Sequence, residues 1–255
     1  MFVRQKLEKV NIAGVGISNI NLKEMLEIFS SAISNNQKIR VCVTPVNCIV
    51  KANKDEFLKN IYNTADVVLC DGMPILWASH FINKPLAARI TGLDVLPLFS
   101  EICSQKGYSS FYLGAKSGVG DSLKSKLISM FPELKVVGVY SPPIAEKFLE
   151  EENQKIISMI NEAKPNILWV SLTAPKQDRW IYSHYDKIDA NIIIGIGGAF
   201  EVAAGLLKRA PKWMQQSGLE WLYRFLQEPV RLFHRYFIEA PKFFPMVLKQ
   251  KIKNN

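Results

Sequence analysis

Long apolar runs are missing from this 255-residue chain. No uninterrupted stretch approaches the roughly 20 residues that a membrane-spanning helix needs. The opening MFVRQKLEKV carries charge, but it has neither an apolar h-region nor a small-residue cleavage site, so no secretory leader is read there. Histidine is scarce, and His80, His184 and His234 lie too far apart for metal-ligand spacing, which speaks against a structural zinc site. Cys42, Cys48, Cys70 and Cys103 form no CxxC pair and read as reduced core cysteines of a cytosolic protein. There is no Asp-x-Asp, so the sequence gives no motif for a metal-held diphosphate. A complete GxGxxG is absent too, which weakens a nucleotide-cofactor oxidoreductase.

Apolar residues are plentiful, at 48% of the chain, enough for a sizeable core. Short β-branched runs alternate with amphipathic stretches. Strands are predicted at 12–17, 39–43, 66–70, 109–113, 135–140, 166–172 and 191–196. Helices are predicted near 22–35, 55–64, 73–82, 94–106, 118–130, 145–163, 175–186 and 199–206. This repetition predicts an α/β fold, a Rossmann-like parallel sheet with helices on both faces. NILWVSL and NIIIGIG are continuously apolar, as strands covered on both sides require.

Charge divides the chain in two. The net charge is +9, and residues 206–255 alone carry ten Lys/Arg against three acids. They also carry nine of the 27 aromatic residues. The expected organisation is a catalytic domain over 1–205 and a basic, helical, aromatic-rich appendage over 206–255. Such asymmetry points to a partner rather than to a fold. An anionic membrane surface is the expected partner, with Trp213, Trp221, Phe243 and Phe244 as interfacial contacts. Single-stranded nucleic acid is the alternative, but no nucleic-acid fold signature accompanies the basic tail, and its prolines at 211, 229, 241 and 245 suit short docked helices better.

In parallel α/β sheets ligands bind beyond the carboxyl ends of the strands. Polar and glycine-containing loops recur at that edge: Thr44 to Asn47, Asp71-Gly72, Gly114 to Gly120, Thr173 to Asp178, and Gly197 to Glu201. Asp71 ends an apolar strand and precedes a helix. It suits a helix N-cap, held ionised by backbone N–H groups, and it equally suits a general base; the two roles do not exclude each other. The loop 114–120 reads either as a phosphate cradle or as an ordinary βα turn.

Taken in order, TPVN (44–47), ADVVLCDGMPILWAS (65–79), ARITGLDV (88–95), FYLGAK (111–116), SLTAPKQDRWI (171–181), GIGGAFEVAAG (195–205), KRAP (208–211) and GLEWLYRFLQEP (218–229) resemble the WecG/TagA/CpsF family of bacterial glycosyltransferases. The family loop often reads GAPKQE; here it is TAPKQD, with Gln177 in place. The resemblance implies transfer of a sugar, often N-acetylmannosamine, from a UDP-sugar to an undecaprenyl-diphosphate-linked saccharide at the cytoplasmic face of the membrane. That chemistry serves cell-wall teichoic acid or exopolysaccharide synthesis. It implies Asp71 as catalytic base and Thr44, Asn47, Arg89 and Gln177 as pocket residues. Glu201 falls where the nucleotide end is held, and Arg224, Arg231 and, less securely matched, Arg235 where the lipid diphosphate is met.

The resulting expectation is an inverting, metal-independent hexosyltransferase with no cofactor. Arg89 stands either for a diphosphate or sugar contact or for a salt bridge. Arg224, Arg231 and Arg235 would share one face of a helix opposite an apolar stripe of Leu219, Leu222, Tyr223 and Leu226, or would form a merely solvated face. The expected location is cytoplasmic, peripheral on the inner membrane face, with no nucleic-acid partner and homo-oligomerisation open.

Overall fold

The computed structural model describes residues 7–254, so the first six residues, read above for a leader, lie outside it. Eight strands form two sheets. β1 (Lys9–Ile12) and β2 (Val15–Ser18) pair antiparallel. β3 (Ile39–Pro45), β4 (Val67–Asp71), β5 (Ser109–Gly114), β6 (Lys135–Tyr140), β7 (Ile167–Ser171) and β8 (Ile192–Gly195) form a parallel sheet in the order β4-β3-β8-β7-β5-β6. The parallel α/β architecture expected from the alternating pattern is therefore what the chain adopts.

Strand residues alternate between two covered faces. Val41, Val67, Trp169 and Ile194 pack against helices Leu22–Ser34, Gly92–Lys106 and Val119–Met130. On the opposite face Cys42, Val68 and Cys70 meet helices Val46–Ala52, Glu56–Asn63 and Met73–Phe81. Leu168, Val170 and Ile193 meet helices Glu150–Ala163 and Lys176–His184 on that same side. All four cysteines are buried and free.

Three local readings change. The single strand expected at 12–17 is a hairpin, because Ala13 and Gly14 both take positive φ (48° and 88°). That is the turn whose twist suits a two-residue hairpin, and it reverses the chain mid-run. The helix expected from 145 begins at Glu150, after the proline-bearing segment 141–149. Helix Val46–Ala52 was not foreseen; it follows directly on Pro45 and is too short to show a period.

The appendage folds back onto the sheet. Residues 206–254 form short helices, Lys212–Gln216, Glu220–Gln227 and Pro229–Phe233, then a π turn, His234–Glu239, and a last helix, Phe243–Asn254. Phe243 and Val247 enter the core, so Phe243 is a packing residue and not the interfacial contact expected of it. Gln250 clasps the hairpin: its Oε1 accepts from Ala13 N at 2.7 Å and its Nε2 donates to Asn11 O at 2.7 Å. Leu226, expected to pack on the body, is 69% exposed.

One acid lies inside this core. Asp178, only 1% exposed, accepts from the Tyr62 hydroxyl at 3.0 Å through Oδ2, while Oδ1 has no partner. Burial is the main cause that pushes its carboxyl from 3.8 to about 7; Tyr62 and Arg40 pull the other way. The unfolded chain then ionises at a lower pH than the folded one. Stability is full below about pH 4 and falls as pH rises to about 7, on the order of 4 kcal/mol in all. Asp178→Asn is therefore expected to be the more stable protein above pH 7, with the advantage vanishing near pH 4. Denaturant titrations across that range check the sign; a variant less stable than the wild type at pH 8 contradicts it.

Candidate active site

The carboxyl ends of β3, β4, β7 and β8 open into one cavity of about 390 Å³, closed on its far side by the appendage. The chain passes from β3 to β4 on one side and returns to β8 on the other, so the crevice lies at the switch in strand order.

Asp71 is the last residue of β4 and lines this cavity. Gly72 follows with φ +133° and ψ 142°, a conformation open to glycine alone. That turn starts helix Met73–Phe81 with Gly72 itself at the N-cap and no side-chain cap bond. The N-cap reading of Asp71 is thus replaced: the carboxylate is free of the helix. Its pKa is raised, chiefly by burial; Arg235 and Arg89 draw it down, while Glu220 and Asp94 add to the rise. Lost hydration, not backbone N–H groups, sets its proton affinity.

Of the residues picked from sequence, Asn47, Asp71, Arg89, Gln177, Arg224, Arg231 and Arg235 line the cavity together. Thr44 and Glu201 are not among its lining. Thr44 is fully buried at the end of β3 with Oγ1 unpartnered. Glu201 sits behind Gly198 with Oε2 buried and unpartnered.

The two amides differ. Gln177 is buried at the start of helix Lys176–His184 and accepts from Gly197 N through Oε1 at 2.9 Å. It thereby fixes the loop after β8. Asn47 leads helix Val46–Ala52; its Oδ1 is buried and unpartnered.

Arginines dominate the charge. Arg89 donates to Glu220 Oε2 at 3.2 Å and lies 3.9 Å from Asp94 Oδ2. Arg209 joins the same two acids, so two guanidiniums and two carboxylates close a ring between body and appendage. Both readings of Arg89 therefore hold: it is salt-bridged, and it faces the cavity. Arg224 and Arg231 share Glu228, while Arg235 stacks near Tyr236 and has no acid partner among the described residues. The chain breaks helix at Glu228 (φ −136°, ψ 57°), so the three arginines reach the cavity from successive helical segments rather than from one helix face. Gly198 permits this approach: a Cβ there would stand 2.7 Å from Arg224 Nη2.

Glu220, Trp77 and Tyr236 line the cavity and escaped the sequence reading; Trp221 and Phe244, expected as membrane contacts, line it as well. Burial raises the Tyr236 phenol, which keeps it a neutral donor beside Asp71 and the arginines. Glu220 and Arg209 lie within GLEW and KRAP, so the stretches were visible although their pairing was not. The loop Gly114 to Gly120 is not part of this cavity's lining.

Among the described residues no helix is long and apolar enough to cross a membrane. Residues 10–255 match the family model described as Glycosyl transferase WecG/TagA/CpsF family. The chain is 27% identical over 225 residues to an N-acetylglucosaminyldiphosphoundecaprenol N-acetyl-beta-D-mannosaminyltransferase of Staphylococcus aureus strain MRSA252, covering 88% of this chain and 86% of that protein. The same-named protein of strain MW2 is 27% identical over 231 residues, covering 90% and 89%. With a parallel sheet, a carboxylate at its edge and a match over nearly the whole sequence, the chain belongs to the WecG/TagA/CpsF family of glycosyl transferases.

Proposed function

We propose that the chain transfers N-acetylmannosamine, or another hexose, from a UDP-sugar to a saccharide carried on undecaprenyl diphosphate. The observation that carries this is the pairing, in one cavity, of the half-buried carboxylate of Asp71 with four lining arginines. The lining holds Arg89, Arg224, Arg231 and Arg235 against Asp71 and Glu220, a net +2 that complements a diphosphate. The relatives' printed name supports an N-acetylglucosaminyl-diphosphoundecaprenol acceptor.

The reaction is a single displacement with inversion. Asp71 takes the proton of the acceptor hydroxyl, whose oxygen attacks the anomeric carbon as the bond to the UDP oxygen breaks. A carboxylate with raised proton affinity is a stronger base than an ordinary aspartate. Gln177 and Asn47 hold sugar hydroxyls or an acetamido group. The arginines and the Tyr236 hydroxyl meet the charge of the diphosphates without a metal ion. Glu201, matched by resemblance to the nucleotide end, stands behind Gly198 with its Oε2 buried, outside the cavity lining, and carries no part of this scheme.

The lipid arrives from a membrane face. Trp77 (51% exposed) and Phe244 (60%) stand at the cavity and continue into exposed Phe81, Leu248 and Ile252. Lys249, Lys251 and Lys253 interleave with these side chains on the last helix, and Lys251 Nζ lies 6.0 Å from the Phe81 ring centre. Each lysine near an anionic surface contributes about 1 kcal/mol. The enzyme sits peripherally on the inner leaflet.

Two outcomes follow. With a soluble diphosphate-lipid acceptor analogue, Asp71→Asn is expected to lower kcat by roughly 10²–10⁴-fold while UDP binding stays within a few-fold. The acid limb of kcat/KM is expected above the ordinary aspartate range in the native enzyme. Retained turnover in the variant removes Asp71 as base; failure of every donor to react removes the transferase reading. On vesicles, neutralising Lys249, Lys251 and Lys253 together is expected to weaken binding to anionic lipid roughly 100-fold. High salt should strip the native protein. Equal binding to neutral and anionic vesicles counts against this face.

A further inference from the structure

Beneath the cavity floor lies a buried polar post that the chemistry above leaves unused. Asp178 is the neighbour of Gln177 on the first turn of helix Lys176–His184. Gln177 turns toward β8 and holds Gly197 N; Asp178 turns the other way, to the Tyr62 hydroxyl on helix Glu56–Asn63. Tyr62 and Cys48 belong to one buried cluster, on helices that pack against each other. Cys48 follows Asn47 on helix Val46–Ala52, and Asn47 Nδ2 lies 3.9 Å from its sulfur. A continuous buried path thus runs from one cavity amide to the other, with Asp178 and Tyr62 in its middle.

We propose that Asp178, held by Tyr62, is a positioning residue that fixes the separation of Asn47 and Gln177, and through it the fit of the donor sugar. This rests on the transferase reading only for the identity of the ligand.

Three observations carry it. The pair ties helix Lys176–His184, which presents Gln177, to helix Glu56–Asn63, which packs on the helix Val46–Ala52 that presents Asn47; both residues are 0–1% exposed, where side chains have few alternative rotamers. Asp178 Oδ1 is buried without a partner, an arrangement that a protein serving stability alone would avoid by placing an apolar or amide side chain there. The charged and titratable groups around it come from every packed element: Arg40 and Cys42 of β3, Cys48, and Tyr62. Arg40 is spent elsewhere, donating to Ile61 O at 3.2 Å and Thr64 Oγ1 at 2.8 Å. Tyr62 is then the one hydrogen-bond donor to the Asp178 carboxylate from another side chain among the described residues.

Sugar hydroxyls are read by hydrogen bonds whose strength falls steeply with misplacement. A shift of either helix therefore alters donor binding before it alters proton transfer at Asp71. The test uses the full chain and Tyr62→Phe, Asp178→Asn and the double variant. The KM for the UDP-sugar is expected to rise about 10-fold in each single variant, with kcat within 3-fold and UDP affinity unchanged. The double variant should be no worse than either single one, because both remove the same link. Hydrogen exchange of the Gly197 amide, which needs no ligand, should quicken in all three while global stability of Asp178→Asn at pH 8 rises.

A purely structural role moves the readouts otherwise. Loss of folded enzyme lowers kcat and leaves KM alone, and it lowers stability together with activity. Unchanged KM with unchanged Gly197 exchange overturns the inference. If the wild type binds no UDP-sugar, the transferase reading fails, and Gly197 exchange alone then decides the positioning role.

Discussion

A carboxylate can lie in a closed cavity only if nearby cations offset the hydration it has lost. Asp71 meets that condition with Arg89 from the body and Arg235 from the appendage, neither of which bonds it directly. Burial outweighs both, so the proton affinity is raised rather than lowered. The balance depends on where the appendage sits. Without Arg235 that part of the offset is lost and the proton affinity of Asp71 rises further. The site's chemistry is therefore a property of the closed fold and not of β4 alone.

The appendage is held there by contacts of different kinds. Phe243 and Val247 bury apolar surface, Gln250 clasps the hairpin backbone, and Lys51 pairs with Glu239 at 3.3 Å. The ring of Arg89, Asp94, Arg209 and Glu220 is partly buried and closes near the reacting groups. Exposed pairs contribute little, but a networked, partly desolvated set is costly to break singly because it strands a charge. Its closure pairs Arg89 with two acids, whereas Arg235, the leading cation acting on Asp71, has no acid partner among the described residues.

How far the sequence foretold this depends on range. The inner strands were legible because a strand covered on both sides must be largely apolar, as Ile167–Val170 and Ile192–Ile194 are, whereas edge strand β6, with Lys135 and Val137 exposed, carries a weaker pattern. Asp71 was legible for the opposite reason, a charge ending such a run. The hairpin at 9–18 was not, since its turn is Ala-Gly and only the positive φ of Ala13 betrays it. The arginines at 224, 231 and 235 came from motif resemblance; a shared helix face was the wrong reason for their convergence, which a break at Glu228 produces. Asp178 was read only as a modest departure in a motif. Nothing local marks a carboxylate whose partners lie 116 residues away in sequence.

The two halves of the cavity carry opposite requirements. A base works best where water is excluded and its proton affinity rises; a leaving diphosphate needs dense positive charge. Built on one rigid element, the arginines would pair with Asp71 and quench it. Here the sheet edge supplies Asp71 and the neutral amides, while helices arriving from elsewhere in the chain supply most of the cations. Glu220 pairs with Arg89, and Glu228 with Arg224 and Arg231, which offsets part of that charge. The exposed apolar and lysine side chains sit on other elements, the last helix Phe243–Asn254 and helix Met73–Phe81, so the cavity's cations and the exposed face are set by separate parts of the chain.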